Sequence, residues 1–244
     1  RLWWTGGLVL AALPAWFLHS RTAFETVMMV SFYGLFMLAY LLYREVSPRW
    51  LPIAVICGAA VFYSYSNGQG VMLVSTVLLL MVDWRYHWQT IRAHPKLGAA
   101  TLVVVILVLA PYLRFRLLLH PEMVATHFHD LDSYWVEDGT TPEKLTRLVS
   151  TYARGLSPGY WFFEDVGENV RHRMLGYPHL PIWLAPAILL GLGVALGRAR
   201  RLSAFRLVLV AILAAPFAAS LVDIGITRVL AMVVPATLLA VIGL

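Results

Sequence analysis

The chain has 244 residues, of which 60% are hydrophobic and only 13% charged, and its mean hydropathy is +0.73. Soluble domains hold about half apolar residues and about 25% charged ones, so a water-soluble globular class is excluded. The formal net charge of +6 does not point to nucleic acid, because the basic residues sit in short loops between apolar runs, where they set membrane orientation.

Strand-like alternation is absent, and several apolar runs approach the roughly 20 residues a helix needs to cross the hydrocarbon. The fold class is therefore all-α, a polytopic transmembrane helix bundle. The runs lie at 3–18, 22–43, 50–63, 71–82, 97–118, 180–197, 207–222 and 229–244, about eight passes, with the third and fourth open to reading as one broken hairpin. This divides the chain into membrane helices over 1–118, a long loop over 119–179, and membrane helices over 180–244. Cys57 is the single cysteine and lies inside an apolar run, which excludes a disulfide framework and a cysteine-based metal site. The chain begins with Arg1 and stops in an apolar run, so it is expected to be part of a longer protein.

Loop charges orient the threading. One set of loops carries Arg44, Arg49, Arg85, Arg92, Lys96, Arg198, Arg200, Arg201 and Arg206, against only Glu45 and Asp83. By the excess of Lys and Arg this set is expected in the cytoplasm. The other set holds Glu122, Asp130, Asp132, Glu137, Asp138, Glu143, Glu164, Asp165, Glu168 and Asp223, and is expected outside.

The loop over 119–179 is too long to be structureless in a bundle. Within it "TPEKLTRLVSTYARG" has Thr141 as expected N-cap, Pro142 at the first helical position, Glu143 in the first turn and Gly155 as an end signal. Leu145, Leu148, Val149 and Tyr152 make one apolar stripe opposite Lys144, Arg147 and Thr151, as in a helix lying on a membrane surface. The following "LSPGYWFFEDVGENVRH" is expected to hold Tyr160, Trp161, Phe162 and Phe163 at headgroup depth, with Glu164, Asp165, Arg171 and His172 on the watery side.

Charged residues at the outer ends of spans carry the strongest functional signal, since charge at depth is costly and is retained facing a cavity or a partner. In "LHSRTAFE", Arg21 and Glu25 are four apart and would share a helix face. Arg21 is either a snorkelling side chain paired with its own glutamate or a guanidinium held for an anion, whose oxygens it matches with parallel hydrogen bonds. Arg228 opens the last run on the same face, with Asp223 as the nearby acid; a surface anchor is the alternative. Tyr63, Tyr65, Asn67 and Gln69 of "SYSNGQG" could bond a sugar or headgroup, or belong to an interfacial aromatic belt. His127 and His129, on an extended segment, would point one way and suit a metal with Asp130, or be solvated loop histidines. Walker, G-x-S-x-G and H-E-x-x-H patterns are absent.

Taken in order, "LPAWFLHSRTAFE", "YSYSNGQGVMLV", "APYLRFRLLLHPE", "YARGLSPGYWFFEDVGENVRHRMLGYPHLPIWLAPAILLGLGVAL" and "ITRVLAMVVPATLLAVIGL" resemble the GT-C superfamily of polytopic glycosyltransferases. The likeness is to bacterial relatives of the protein O-mannosyltransferases and of the aminoarabinose lipid A transferase: a proline-ended span followed by His-Pro-Glu, a Ser-Pro-aromatic loop closing on Arg-His, and a late arginine leading a span. The resemblance implies an inverting membrane enzyme of the bacterial inner membrane, moving a sugar from a polyprenyl-phosphate carrier to an acceptor protein, lipid or glycan on the outer side. It places the catalytic acid in a first outer loop that precedes this sequence, so none is assigned here, and a divalent metal stays open. Substrate binding then falls to Arg21, Glu25, Tyr65, Arg171, His172 and Arg228. A flippase or transporter of anionic substrates, or a noncatalytic scaffold, would share many of these features; a transporter would add inverted repeats and helices broken near the midplane.

Overall fold

The computed structural model describes residues 4–22, 24–164 and 167–244, and they are helical with no β-strand among them. In chain order the helices are α1 (Thr5–Ala12), α2 (Pro14–His19), α3 (Glu25–Glu45), α4 (Leu51–Ser64), α5 (Ser66–Val82), α6 (Trp84–Ala93), α7 (Pro95–Arg114), α8 (Met123–Asp130), α9 (Thr141–Leu156), α10 (Pro158–Phe162), α11 (Ala185–Arg198), α12 (Ser203–Ala214), α13 (Phe217–Ser220), α14 (Ile226–Val229) and α15 (Val233–Gly243).

Four stretches are long and apolar enough to cross a membrane: Glu25–Glu45, Pro95–Leu119, Ser203–Ser220 and Ile226–Gly243, or five if α5 and α6 count as one bent span. The expected eight passes are not reached among the described residues. The first run is cut at Pro14, which lacks an N–H and ends α1 at the preceding turn, while Pro48–Ser64 and Ile182–Arg198 are apolar but shorter. Pro111 does not end its span. It sits inside α7, which continues and opens into a π-helical turn over Phe115–Leu119.

The turn expected at "SYSNGQG" shrinks to one extended residue, Tyr65, because Ser66–Gly70 already form the start of α5. Gly68 permits this tight hairpin: a β-carbon there would strike the Val61 carbonyl. Small residues also let α11 and α15 pack backbone to backbone. Ala187, Gly191 and Ala195 recur every fourth residue on the buried face of α11, with the Leu239 carbonyl of α15 against Gly191 and Gly243 of α15 against the Ala187 carbonyl. Helix pairs in lipid associate by such close van der Waals approach, since the lipid tails remove the hydrophobic drive between apolar surfaces.

The region 119–179 folds into α8, α9 and α10 against the α13–α14 corner. The N-cap of α9 is Thr140, one residue before the expected Thr141, in a reciprocal capping box: Thr140 N–H donates to Glu143 at 2.8 Å, and Glu143 N–H donates back to the Thr140 hydroxyl at 3.5 Å. The first of these bonds holds the Glu143 carboxyl below its ordinary range. Gly155 is a contact rather than a stop signal, since the helix runs on to Leu156 and a β-carbon at 155 would meet Pro216 at 2.6 Å and Ile224 at 3.0 Å. The anticipated apolar stripe splits. Tyr152 turns inward and donates to the Leu213 carbonyl at 2.7 Å, whereas Leu145 and Val149 stay exposed. Tyr160 and Trp161 are buried, with the Trp161 indole donating to the Gly155 carbonyl at 2.8 Å, so only Phe163 of that pair of doublets projects strongly outward. Asp165 lies outside the described residues.

Replacing Gly191 by valine would drive a side chain into the Leu239 carbonyl of α15. Thermal unfolding in detergent should show a loss on the order of 3 kcal/mol, while Gly193→Val, where a β-carbon meets open space, should cost far less.

Candidate functional site

The 21-residue α3 separates two polar ends. At the Glu25 end, three expected site residues converge. Tyr65, between α4 and α5, faces Thr227, with the Arg228 guanidinium and the Glu25 carboxylate close enough to act on it electrostatically. Asn67 donates to the Arg228 carbonyl at 3.1 Å, and Arg228 Nη1 donates to the Asp223 carbonyl at 3.2 Å. Arg228 is therefore aimed by two backbone contacts, with no ion pair to Asp223, whose carboxylate lies 3.6 Å from Arg154.

Arg171 and His172 come from a 3₁₀ turn over Val170–His172, begun by Asn169, whose side chain accepts from Arg171 N–H at 3.0 Å. The His172 ring packs 5.1 Å from Phe24 and stacks 5.9 Å from His19. His19 is fully buried and anchored through Nδ1 to the Ala15 carbonyl at 2.7 Å. Burial is the main cause that lowers the His172 pKa, with Arg171 adding and Glu168 opposing.

Glu168 joins this loop to the Arg228 helix, and no sequence signal singled it out. Its Oε2 accepts from Ile226 N–H at 2.9 Å and from the Tyr160 hydroxyl at 3.2 Å. It thus satisfies a free N–H at the start of the span that carries Arg228, where a helix favours negative charge. The loop beyond is closed by Glu164, which pairs with Arg173 at 3.6 Å and accepts from Gly176 N–H at 2.9 Å.

Two expected arrangements are not formed. Arg21 lies in the turn before α3, not on it, and its guanidinium covers the Phe17 ring at 3.8 Å from the centroid, so it does not share a helix face with Glu25. His127 and His129 belong to α8 rather than to an extended segment. Two residues apart on a helix they diverge by about 200°, and no cluster of three metal-binding side chains occurs among the described residues.

At the other end the structure assembles a charged group that loop counting treated as scattered. Asp83, 5% exposed, accepts from Arg206 Nε at 3.0 Å and the Tyr40 hydroxyl at 2.8 Å, and is ion-paired with Arg44, whose Nε lies 3.1 Å away without a hydrogen bond, and with Arg206 Nη2 at 2.8 Å. Arg44 also covers Tyr86 at 3.6 Å, Glu45 accepts from Ser203, and His87 lies between the hydroxyls of Tyr40 at 3.3 Å and Tyr43 at 3.0 Å. A carboxylate shared by two guanidiniums ties α3, α5 and α12 together, and its geometry is that of a structural clamp.

No known family model, curated protein or solved structure matches the chain.

Asp83→Asn would leave two half-buried guanidiniums without their shared acid and should cost about 3–5 kcal/mol in unfolding measurements. Arg206→Gln keeps a balanced Arg44–Asp83 pair and should cost less. For His172, a folded pKa below the unfolded value means that the unfolded chain binds the proton more readily. Its stabilising contribution is complete above the ordinary value of 6.5 and is lost as pH falls from there toward the lowered folded value. Melting temperature against pH should therefore drop in that window, and the drop should flatten in His172→Phe.

Proposed function

We propose that the chain is the carrier-binding part of a GT-C-type membrane glycosyltransferase, and that its Glu25 end holds the phosphate of a polyprenyl-phosphate-linked sugar on the extracytoplasmic side of a bacterial inner membrane. The supporting observation is the Asn67 bond to the Arg228 carbonyl at 3.1 Å, which brings the start of α14 to the Tyr65 turn between α4 and α5 near Glu25 at the start of α3, with the loop carrying Arg171 and His172 buckled to the same span through Glu168. Arg228 is the principal phosphate ligand in this reading. Arg171 is exposed on the adjoining turn and is the second cation, and Tyr65 with Glu25 receives polar groups of the sugar. Arg21 belongs to the surface around the site.

The phosphate is also the leaving group of sugar transfer, so guanidiniums beside it stabilise the charge that grows as the glycosidic bond breaks. Sugar loss with inversion needs an acid or base that this chain is not assigned, and the acceptor is a protein, lipid or glycan hydroxyl or amine. The eight-pass topology belongs to the same proposal: beside the four long spans, the shorter apolar helices α4, α5 and α11 and the α1–α2 pair broken at Pro14 complete the bundle in a thin or locally thinned bilayer. A flippase would favour helices broken near the midplane, whereas the 79° bend here falls at Asp83, among the arginines at one end.

The test is equilibrium binding of a polyprenyl phosphate and of the matching polyprenyl alcohol to the purified chain in detergent. Arg228→Gln should weaken phosphate binding about tenfold or more, the worth of a charged hydrogen bond, and Arg171→Gln should weaken it less. Alcohol binding should not change. Equal affinity for phosphate and alcohol in the unaltered chain would refute the phosphate site.

A further inference from the structure

Helix α6 plays no part in the carrier site, yet its three faces are sharply different. It leaves α5 at 79°, so when α5 crosses a bilayer α6 runs along its surface. One face is packed: Tyr86 donates to the Tyr43 carbonyl at 2.9 Å and His87 meets Tyr43. A second face exposes Trp84, Trp88 and Ile91, spaced four and three apart. The third carries Arg85, Gln89 and Arg92, with the Arg92 guanidinium 4.4 Å over Trp88 and Arg85 5.7 Å from Trp84.

Beside the end of α6 an open cleft of about 620 Å³ runs between Ser47–Arg49 and Ala93–Leu97, with Arg49, His94 and Lys96 on its wall and no acidic residue lining it. Along the same helix an open hollow of about 390 Å³ is lined by Leu80, Trp84, His87, Trp88 and Ile91. Between Asp83 and Glu122 the sequence has no acid at all, while it has Arg85, Arg92, Lys96, Arg114 and Arg116. The two acids at this end, Asp83 and Glu45, are matched in number by Arg44 and Arg206, the two cations held at Asp83, so the remaining cations are in excess.

We propose that α6 and this cleft form a binding site for an anionic phospholipid of the adjoining leaflet, its phosphate held by Arg49, Arg92 and Lys96 and its upper acyl chain in the Trp84–Trp88–Ile91 hollow. A surface-lying amphipathic helix with tryptophans on one face and cations on the next is the arrangement that buries apolar area at headgroup depth while meeting lipid charge. The cleft volume is in the range of small-ligand sites, roughly 300–1,000 Å³. A soluble polyanion would use the cations but leave the apolar hollow without a role. The site is independent of the sugar-carrier reading, because it lies at the opposite end of α3.

Native mass spectrometry of the full chain, titrated with phosphatidylglycerol and separately with phosphatidylcholine, tests it. Phosphatidylglycerol should be retained preferentially. In the triple variant Arg49→Gln, Arg92→Gln, Lys96→Gln that preference should fall by about fivefold per lost charge. The control Arg198→Gln, Arg200→Gln, Arg201→Gln removes the same charge from exposed positions outside the cleft and should stay within about twofold of the unaltered chain. Equal retention of the two lipids by the unaltered chain overturns the proposal. So does an unchanged preference in the first triple, or an equal loss in both.

Discussion

The carboxylate of Asp83 sits between two guanidiniums at the point where the chain turns from α5 into α6. Arg44 comes from the end of α3 and Arg206 from the start of α12, so one side chain fixes the relative position of three helices. Removing three charges from water is costly, and the geometry offsets that cost only because each Asp83 oxygen has a cation and Tyr40 adds a hydroxyl donor. The clamp also has an electrostatic consequence. The charges of Asp83 and Glu45 are balanced in number by Arg44 and Arg206, so Arg49, Arg92 and Lys96 are in excess and the surface at this end becomes positive.

The opposite end is held by different chemistry. Beside its exposed ion pairs, many side chains there bond to backbone: Glu168 to Ile226 N–H, Asn67 to the Arg228 carbonyl, and Ser133 and Tyr134 to the carbonyls of Leu221 and Ser220. Such bonds satisfy the free donors and acceptors at helix ends, and they fix the long connection between α7 and α11 without an ion pair to Arg171 or Arg228 among the described residues. Arg171 and Arg228 keep their charge available as a result. Between the two ends, the bundle is joined by small residues and aromatic packing. Helix α7 has no buried residue, and its apolar surface is suited to lipid.

Several local features could be read from residues alone, and the places where the reading moved have definite causes. The capping of α9 is visible in "TTPEK", but two threonines precede the proline and only backbone geometry picks Thr140. Gly155 has the same composition signal whether it stops a helix or admits a neighbour, and Pro216 and Ile224, more than 60 residues away, decide which. His-x-His suggests a shared direction only on extended chain, so the helical state of α8 removes it. Arg21 and Glu25 share a face only on a helix that includes both, and the turn at 20–22 breaks the spacing. Glu168 is one acid among many in its segment, and nothing local reveals that it meets the N-terminus of α14.

By itself the sequence determined the all-helical character, the presence of helices long and apolar enough to cross a membrane, the segregation of acids from the most basic loops and the residues rich enough in chemistry to be candidates. These follow from hydropathy, periodicity and charge, which are local sums. Only the tertiary structure decided that Tyr65, Glu25 and Arg228 meet, that Arg21 does not join them, and that Asp83 draws two arginines into one buried group. Those pairings span from about 40 to 200 residues of chain, and they depend on how closely glycine and alanine let particular helix backbones approach. That distance is a property of packed surfaces, which no single segment carries.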